Sequence, residues 1–433
     1  MFSATAASSN SAILAQESAP SRSGRSILYS PAWMVVAGLV VRLAFLVAGR
    51  LYQLEVRHWM DFEMANIGSS LALGHGFTSP WGGSTGPTAW TAPLYPYLVS
   101  LAFRIFGVYS RGAAFALLTF NSVFSALTCW TIYHIARRLF NEKVALCSGW
   151  IWALFPYAIF WSVTWIWETT LSAFLLSLLF MLTLEMDGDH RLWHWAGYGL
   201  LWGIVGLTNT SLLAWLPFSG CWLAYQLYRA RKPFVRPVLL SALVFWAVIT
   251  PWIARNYVAF DKLILIRGDL GSELRTGNNP QAKGTWVAEY RAGNNNNLFA
   301  QYQRLGEVAY DAEQSRLAKD WIAEDPARFL ALSCRRVFYF WVGWPDPRLR
   351  LFTPLYVCLT ILGLAGLLRA ARQHTHGVFL FATLLAFYPL IYYITFPTDR
   401  YHHAIEPELL ILAVWLLVSD VKSGQSRSRK VAI

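Results

Sequence analysis

Charge is what this 433-residue chain has least of, with Asp, Glu, Lys and Arg together making up 14%. Soluble domains carry roughly 25%, so the deficit points to lipid as the solvent. Nothing in the chain reads as a soluble domain of comparable size. Cysteine is also scarce: Cys129, Cys147, Cys221, Cys334 and Cys358 form no C-x-x-C pair, and four lie in apolar runs. That pattern excludes a disulfide or zinc framework and leaves small core hydrophobes. No P-loop, Rossmann glycine pattern or zinc motif is present. The net charge of +12 sits mainly in short clusters between apolar runs. Without a basic face or a recognition motif, nucleic acid is not an expected partner. Residues 1–30 are rich in Ser and Ala and have no apolar core before Ala32. They read as a disordered cytoplasmic tail, and the first spanning helix doubles as an uncleaved insertion signal.

What the chain does have is apolar length. Hydrophobic residues make up 56%, aromatics 16%, and there are 22 Trp; mean hydropathy is +0.38. Trp and Tyr gather where apolar and wet surroundings meet. Runs near the 20-residue span length lie at about 32–51, 112–136, 144–162, 166–184, 192–208, 211–228, 236–258, 351–368, 377–396 and 403–420. The expected fold is therefore an all-α polytopic bundle of about ten spans. Basic residues fall in alternate connections: Arg137, Arg138 and Lys143; Arg191; Arg229, Arg231, Lys232 and Arg236; Arg369 and Arg372; then the tail 421–433. The short connections on the other side carry only Arg400. This bias predicts that both termini are cytoplasmic.

Two long segments then face outward, 52–111 and 259–350. The expected organisation is a tail (1–30), an N-terminal transmembrane module (31–258) that includes the first outer loop, the second outer loop (259–350), C-terminal helices (351–420) and a basic tail (421–433). Pro93–Gly107 is apolar but short and carries Arg104, so it predicts a helix lying in the outer interface. In the second loop, Leu305, Val308, Ala312, Leu317, Trp321 and Ile322 roughly follow helical spacing and predict an amphipathic helix. Ala327–Gly343 is apolar with Arg335 and Arg336 in its middle, which favours an interfacial helix over a span.

Several side chains in these loops could carry chemistry. Residues 61–73 can form one helix with Asp61 as N-cap and Gly74 closing it. A carboxylate just outside the membrane could equally accept a proton from an acceptor hydroxyl, and the residues alone leave both roles open. Glu63 lies roughly 200° around such a helix from Asp61, so the two cannot easily face one site. Glu168 sits at the outer end of the fourth run, where a carboxylate is costly unless paired or hydrated; a polar cavity nearby is expected. Arg255, Arg267 and Arg400 fall at or beyond the outer surface, where a planar, permanently charged guanidinium suits phosphate. Arg400 is the strongest of these because it resists the positive-inside trend.

The order of motifs adds to this reading. An acidic residue after the first span is followed by L-x-x-G-H-G-F (Leu71–Phe77), P-T-A-x-x-x-P-L-Y-P (Pro87–Pro96) and a closing F-G. Further on come P-W-I-A-R-N-Y (Pro251–Tyr257), R-G-D-L-G-S-E-L-R-T-G-N-N-P (Arg267–Pro280) and R-Y-H-H-A-I-E-P (Arg400–Pro407). The series resembles the bacterial family 39 glycosyltransferases, relatives of protein O-mannosyltransferases and aminoarabinose transferases in the C-type superfamily. The resemblance implies transfer of a sugar from a polyprenyl-phosphate donor to a glycan, lipid or protein acceptor, on the outer face of a bacterial inner membrane. It implies Asp61 as catalytic base, with Glu63 as rival because Asp-Phe-Glu replaces the common acidic pair. It also implies Glu168 near the acceptor, and one or more of Arg255, Arg267 and Arg400 on the donor phosphate. Tyr401, His402 and His403 are expected along the substrate groove. No metal is expected there, since no carboxylate cluster matches the histidines, and no cofactor beyond the lipid-linked donor is implied. A transporter or flippase is the alternative, although no internal repeat supports it.

Overall fold

A computed structural model describes residues 30–53, 62–343 and 350–419. The expected terminal tails, save residue 30, and Asp61 lie outside the described residues. Among the described residues the regular structure is all helical, apart from a lone bridge between Thr78 and Pro87.

Nineteen α-helices follow in order among the described residues. The first six are α1 (Pro31–Ala48), α2 (Glu63–Ala72), α3 (Leu94–Phe106), α4 (Arg111–Leu139), α5 (Glu142–Leu154) and α6 (Pro156–Thr164). Next come α7 (Thr169–Glu185), α8 (Leu192–Thr208), α9 (Leu216–Arg229), α10 (Val235–Phe260), α11 (Leu270–Gly277) and α12 (Asn296–Leu305). The series ends with α13 (Glu307–Glu324), α14 (Pro326–Val342), α15 (Thr353–Arg372), α16 (Val378–Phe387), α17 (Leu390–Ile394), α18 (Asp399–His403) and α19 (Glu406–Ser419).

Helices α1, α4, α10 and α15 are each long and apolar enough to cross a bilayer, and α5 with α6 makes a fifth candidate bent by 45°. The remaining apolar runs are shorter helices or are broken, so the ten-span expectation does not translate into ten unbroken rods. Proline explains the breaks. Pro156 has no N–H for the carbonyl of Trp152, and Pro389 separates α16 from α17. Buried Arg42 of α1 answers the first break from across the bundle. Its guanidinium donates to the carbonyl of Ala153 at 2.9 Å, that of Trp152 at 3.3 Å, and Ser125 Oγ at 2.8 Å. A buried carbonyl without a donor costs ~1–3 kcal/mol, which is the role Arg42 fills.

Helix α15 packs on α19 through Gly363 and Gly366; a Cβ on Gly366 would lie 2.3 Å from the carbonyl oxygen of Leu412. The expected short helix in the first loop is present as α3, and Arg104 on it donates to the carbonyl of Leu71 at 2.8 Å. Its Tyr97, Leu101 and Ile105 form an exposed apolar stripe. In α14, Arg336 is fully buried. It donates to the carbonyls of Ile394 at 3.0 Å and Gly277 at 2.6 Å, tying α14 to the ends of α17 and α11.

One expectation in the second loop needs correcting. The single amphipathic helix is split at Gly306, whose φ of +76° is costly for other residues. The buried face of α13 is then Glu307, Tyr310, Gln314 and Ala318, while Leu305 and Ala312 are exposed.

Candidate active site

The two long loops fold against one another and, with the start of α7, residues 209–214, the middle of α10 and α16 to α18, line a cavity of about 950 Å³. Its polar wall carries four carboxylates (Glu63, Glu168, Asp269 and Glu273) and three arginines (Arg267, Arg291 and Arg400). Its apolar wall includes Phe245, Ile249, Phe387 and Ile391. That wall continues to Trp246, Leu265, Leu390 and Ile394, which are exposed on the outside of the bundle. A polar head and an apolar tail could occupy one continuous space.

Local structure aims these groups inward. Helix α2 begins at Glu63 with no side-chain cap, so Glu63 stands in the first turn, where the helix dipole favours a carboxylate. It is buried and pairs with Arg291, while its Oε2 has no hydrogen-bond partner among the described residues. Glu168 immediately precedes α7, and its Oε2 is likewise buried and unpartnered among the described residues. Asp269 precedes α11 and Glu273 lies four residues on, which puts both on one helical face. Arg267 pairs with Asp269, and Arg291 also approaches Glu273 at 4.0 Å.

Arg400, in the short helix α18, is different. Among the described residues no carboxylate lies within 4.0 Å of its guanidinium, which donates to Tyr401 Oη at 3.1 Å. It lies over the Trp167 ring at 4.4 Å and the Tyr401 ring at 4.9 Å. This is a cation held by aromatic faces in the cavity wall.

Burial pushes Asp269 and Glu273 above their ordinary pKa values, against the pull of Arg267 on the first and Arg291 on the second. Burial also works against charge on Arg267 and Arg291. Asp269 and Glu273 around the first, and Glu63 and Glu273 around the second, outweigh it and raise both. For Arg400, burial is outweighed by Tyr401 and Glu168. All three guanidinium groups therefore stay charged.

Of the residues singled out from the sequence, Glu63, Glu168, Arg267, Arg400 and Tyr401 meet in this cavity. Asp61 lies outside the described residues. Arg255 is elsewhere engaged: it donates to the carbonyls of Thr88 at 2.6 Å and Phe77 at 2.7 Å and packs on the Trp252 ring. His402 and His403 are fully buried and turn into the bundle. Their Nδ1 atoms lie 3.1 and 2.6 Å from the carboxylate of Glu406, on the next helix, and that carboxylate draws them from the groove. Among the described residues no group of three or more His, Cys, Asp or Glu side chains could hold a metal ion. Sequence reasoning missed Asp269, Glu273 and Arg291. The four-residue spacing of the first two was a usable signal; Arg291, in a polar coil, gave none.

Residues 90–254 match a family model described as dolichyl-phosphate-mannose-protein mannosyltransferase, of the C-type glycosyltransferase superfamily, in agreement with the resemblance read from the motifs. Among solved structures, the oligosaccharyltransferase of Archaeoglobus fulgidus in its apo form is 13% identical, with a TM-score of 0.49, over 93% of this chain and 52% of that one. The same values hold for its complex with an inhibitory peptide and a dolichol-phosphate. ArnT from Cupriavidus metallidurans bound to undecaprenyl phosphate is 10% identical, with a TM-score of 0.39, over 90% of this chain and 79% of that one. This chain spans about half the length of the archaeal enzyme. At these scores neither likeness carries an argument about this chain. No curated protein matches it.

Proposed function

We propose that this chain is a membrane glycosyltransferase that moves a sugar from a polyprenyl-phosphate-linked donor to an acceptor on the extracytoplasmic side, with inversion at the anomeric carbon. The observation that carries the proposal is the single cavity in which a carboxylate of the first outer loop, Glu63, and the unpaired cation Arg400 share a wall. The family match over residues 90–254 supports the donor class, a sugar joined to a lipid phosphate. The exposed apolar wall gives its tail a way in from the bilayer. The basic-residue bias supports a bacterial inner-membrane orientation with both termini cytoplasmic and the loops outside.

In this reading the acceptor oxygen attacks the anomeric carbon from the face opposite the phosphate. The new C–O bond forms as the sugar–phosphate bond breaks, and the electron pair leaves with the phosphate on its lipid. The acceptor proton passes to a carboxylate, Asp61 or Glu63. The geometry favours Glu63, whose Oε1 is held by Arg291 while its Oε2, buried at the cavity wall, has no hydrogen-bond partner among the described residues. Glu168 orients the acceptor near that base. Arg400 and Arg267 meet the charge that grows on the leaving phosphate, where preorganised donors in a dry site act most strongly. Arg400 is the better placed, because Arg267 is already committed to Asp269.

The test uses the purified protein in lipid nanodiscs, a polyprenyl-phosphate sugar labelled on the sugar, and a membrane extract as acceptor. Release of unlabelled polyprenyl phosphate with label on a new product is expected. Movement of the intact lipid without bond cleavage would instead make the chain a transporter or flippase. Mass spectrometry of glycans and lipids from cells with and without the protein names the sugar and the acceptor together.

A further inference from the structure

A buried carboxylate outside the cavity ties the two outer loops together. Glu307 opens α13 and borders no part of the cavity, yet its side chain is engaged by three donors. Ala89 N–H donates to Oε1 at 2.6 Å, Tyr302 O–H donates to Oε2 at 2.7 Å, and the Thr88 hydroxyl donates to Oε2. The Thr88 hydroxyl in turn accepts from Trp90 N–H at 3.0 Å.

The strip Thr88–Trp90 has a partner for each backbone polar group. Thr88 N–H donates to the Phe77 carbonyl at 3.1 Å, and the Thr88 carbonyl accepts from Arg255 at 2.6 Å. The Ala89 carbonyl accepts from Gly268 N–H at 3.0 Å. The Trp90 carbonyl accepts from Arg267 Nε at 3.1 Å. One end of the Arg267 guanidinium is thus fixed by this strip and the other by Asp269. Remove the carboxylate of Glu307, and the strip loses the acceptor for one N–H and the anchor for the hydroxyl that holds another.

We propose that Glu307 is a positioning residue for the phosphate subsite: through the Thr88–Trp90 strip it sets where Arg267 and the Trp90 wall stand. The proposal rests on the function inferred above. Its working form is the carboxylate, because three donors converge on it, and a carboxylic acid would turn one acceptor oxygen into a donor facing a donor. Burial raises the pKa of Glu307 to about 7, with the charge of Asp269 adding to the rise and the donors from Thr88, Tyr302 and Ala89 opposing it. The other charged or titratable groups that face it are Arg255 and the phenol of Tyr302. As pH falls through about 7 the carboxylate takes up a proton, and the grip on the strip weakens.

The experiment measures binding of polyprenyl phosphate alone, which needs no turnover, to the full-length protein and to E307Q, R267A and the double variant. E307Q is expected to weaken binding about 5–10-fold in the wild-type background and by less than twofold in R267A, since coupled residues are non-additive. Wild-type affinity is expected to fall between pH 8 and 6 more steeply than that of E307Q. Thr88→Val should copy E307Q and Thr88→Ser should not, which keeps the test decisive should E307Q fail to fold. Equal losses in both backgrounds, or superimposable pH profiles for wild type and E307Q, overturn the proposal. Failure of the wild type to bind the probe overturns the reading of the site itself; binding without coupling overturns only the role of Glu307.

Discussion

Replacing Arg400 by Ala is the sharpest perturbation of the proposed donor site, because its effect can be worked from what the guanidinium does and does not touch. It makes no ion pair within the described residues, and its protein hydrogen bond is to Tyr401 Oη. Removing it therefore strands no buried carboxylate in direct contact, and the stability cost is mainly the loss of packing over Trp167 and Tyr401. Stacking of this kind contributes ~0.5–2 kcal/mol. A bidentate grip on phosphate supplies two charge-assisted hydrogen bonds, each ~1.5–3 kcal/mol net. Taking the low end for both gives a loss of about 3 kcal/mol, or roughly 100-fold in Kd. Arg400→Lys keeps the charge but loses the fork and the flat face, so about 10-fold is expected. Isothermal titration of polyprenyl phosphate against each variant in detergent micelles measures this, with thermal unfolding as the control. Because the site is buried, the ratio should change little between low and high salt. Binding by folded R400A within threefold of wild type would refute the assignment.

Three further outcomes are expected. Glu63→Gln should lower kcat by about 100-fold or more with donor affinity nearly unchanged, as loss of a general base does; a larger drop for Asp61→Asn than for Glu63→Gln in single-turnover assays would move the base to Asp61. Arg42→Met should lower stability by about 1–3 kcal/mol, seen as a lower unfolding midpoint in detergent, because the Ala153 carbonyl and Ser125 lose their donor while relief of a buried cation offsets part of the loss. Gly366→Ala should destabilise the α15–α19 packing by about 1–3 kcal/mol, because the opposing atom is a backbone oxygen that cannot swing aside; an unchanged unfolding midpoint would show that the two helices separate freely.

The fold was legible because lipid imposes a simple rule: long apolar runs become helices, and basic residues mark the connections. The site was legible only where the sequence broke that rule. Arg400 stood out as the one basic residue of its short connection, and it is the cavity arginine left without a carboxylate partner among the described residues. Arg255 carried the same local signal, at the outer end of a span. What separates the two is long-range: Arg255 meets carbonyls 167 and 178 positions away in sequence, and no spacing rule reaches that far. The histidines failed for a neighbouring reason. Their partner Glu406 is visible three and four residues on, a spacing that on a helix brings side chains together, and it binds them locally where the motif suggests a groove.

The misread face of α13 follows from the site itself. An amphipathic helix is usually found by looking for apolar residues on one face, on the premise that the buried side is the oily one. Helix α13 buries Glu307, Tyr310 and Gln314, and Glu307 takes two donors from the Thr88–Trp90 strip of the first loop. Asp311, one turn along, accepts from Ser272 N–H at 2.8 Å and Ser272 Oγ at 2.9 Å, closing the N-terminus of α11, which carries Glu273. Glu307 and Asp311 each satisfy donors on segments that border the cavity. Local patterning and tertiary role disagree most where polar groups must be buried to hold other polar groups in place. That disagreement marks α13 as the backing of the site, and it is the same physical reason that singles out Glu307: a helix whose inward face was merely apolar could pack against the loops, but it could not fix an arginine's position through hydrogen bonds.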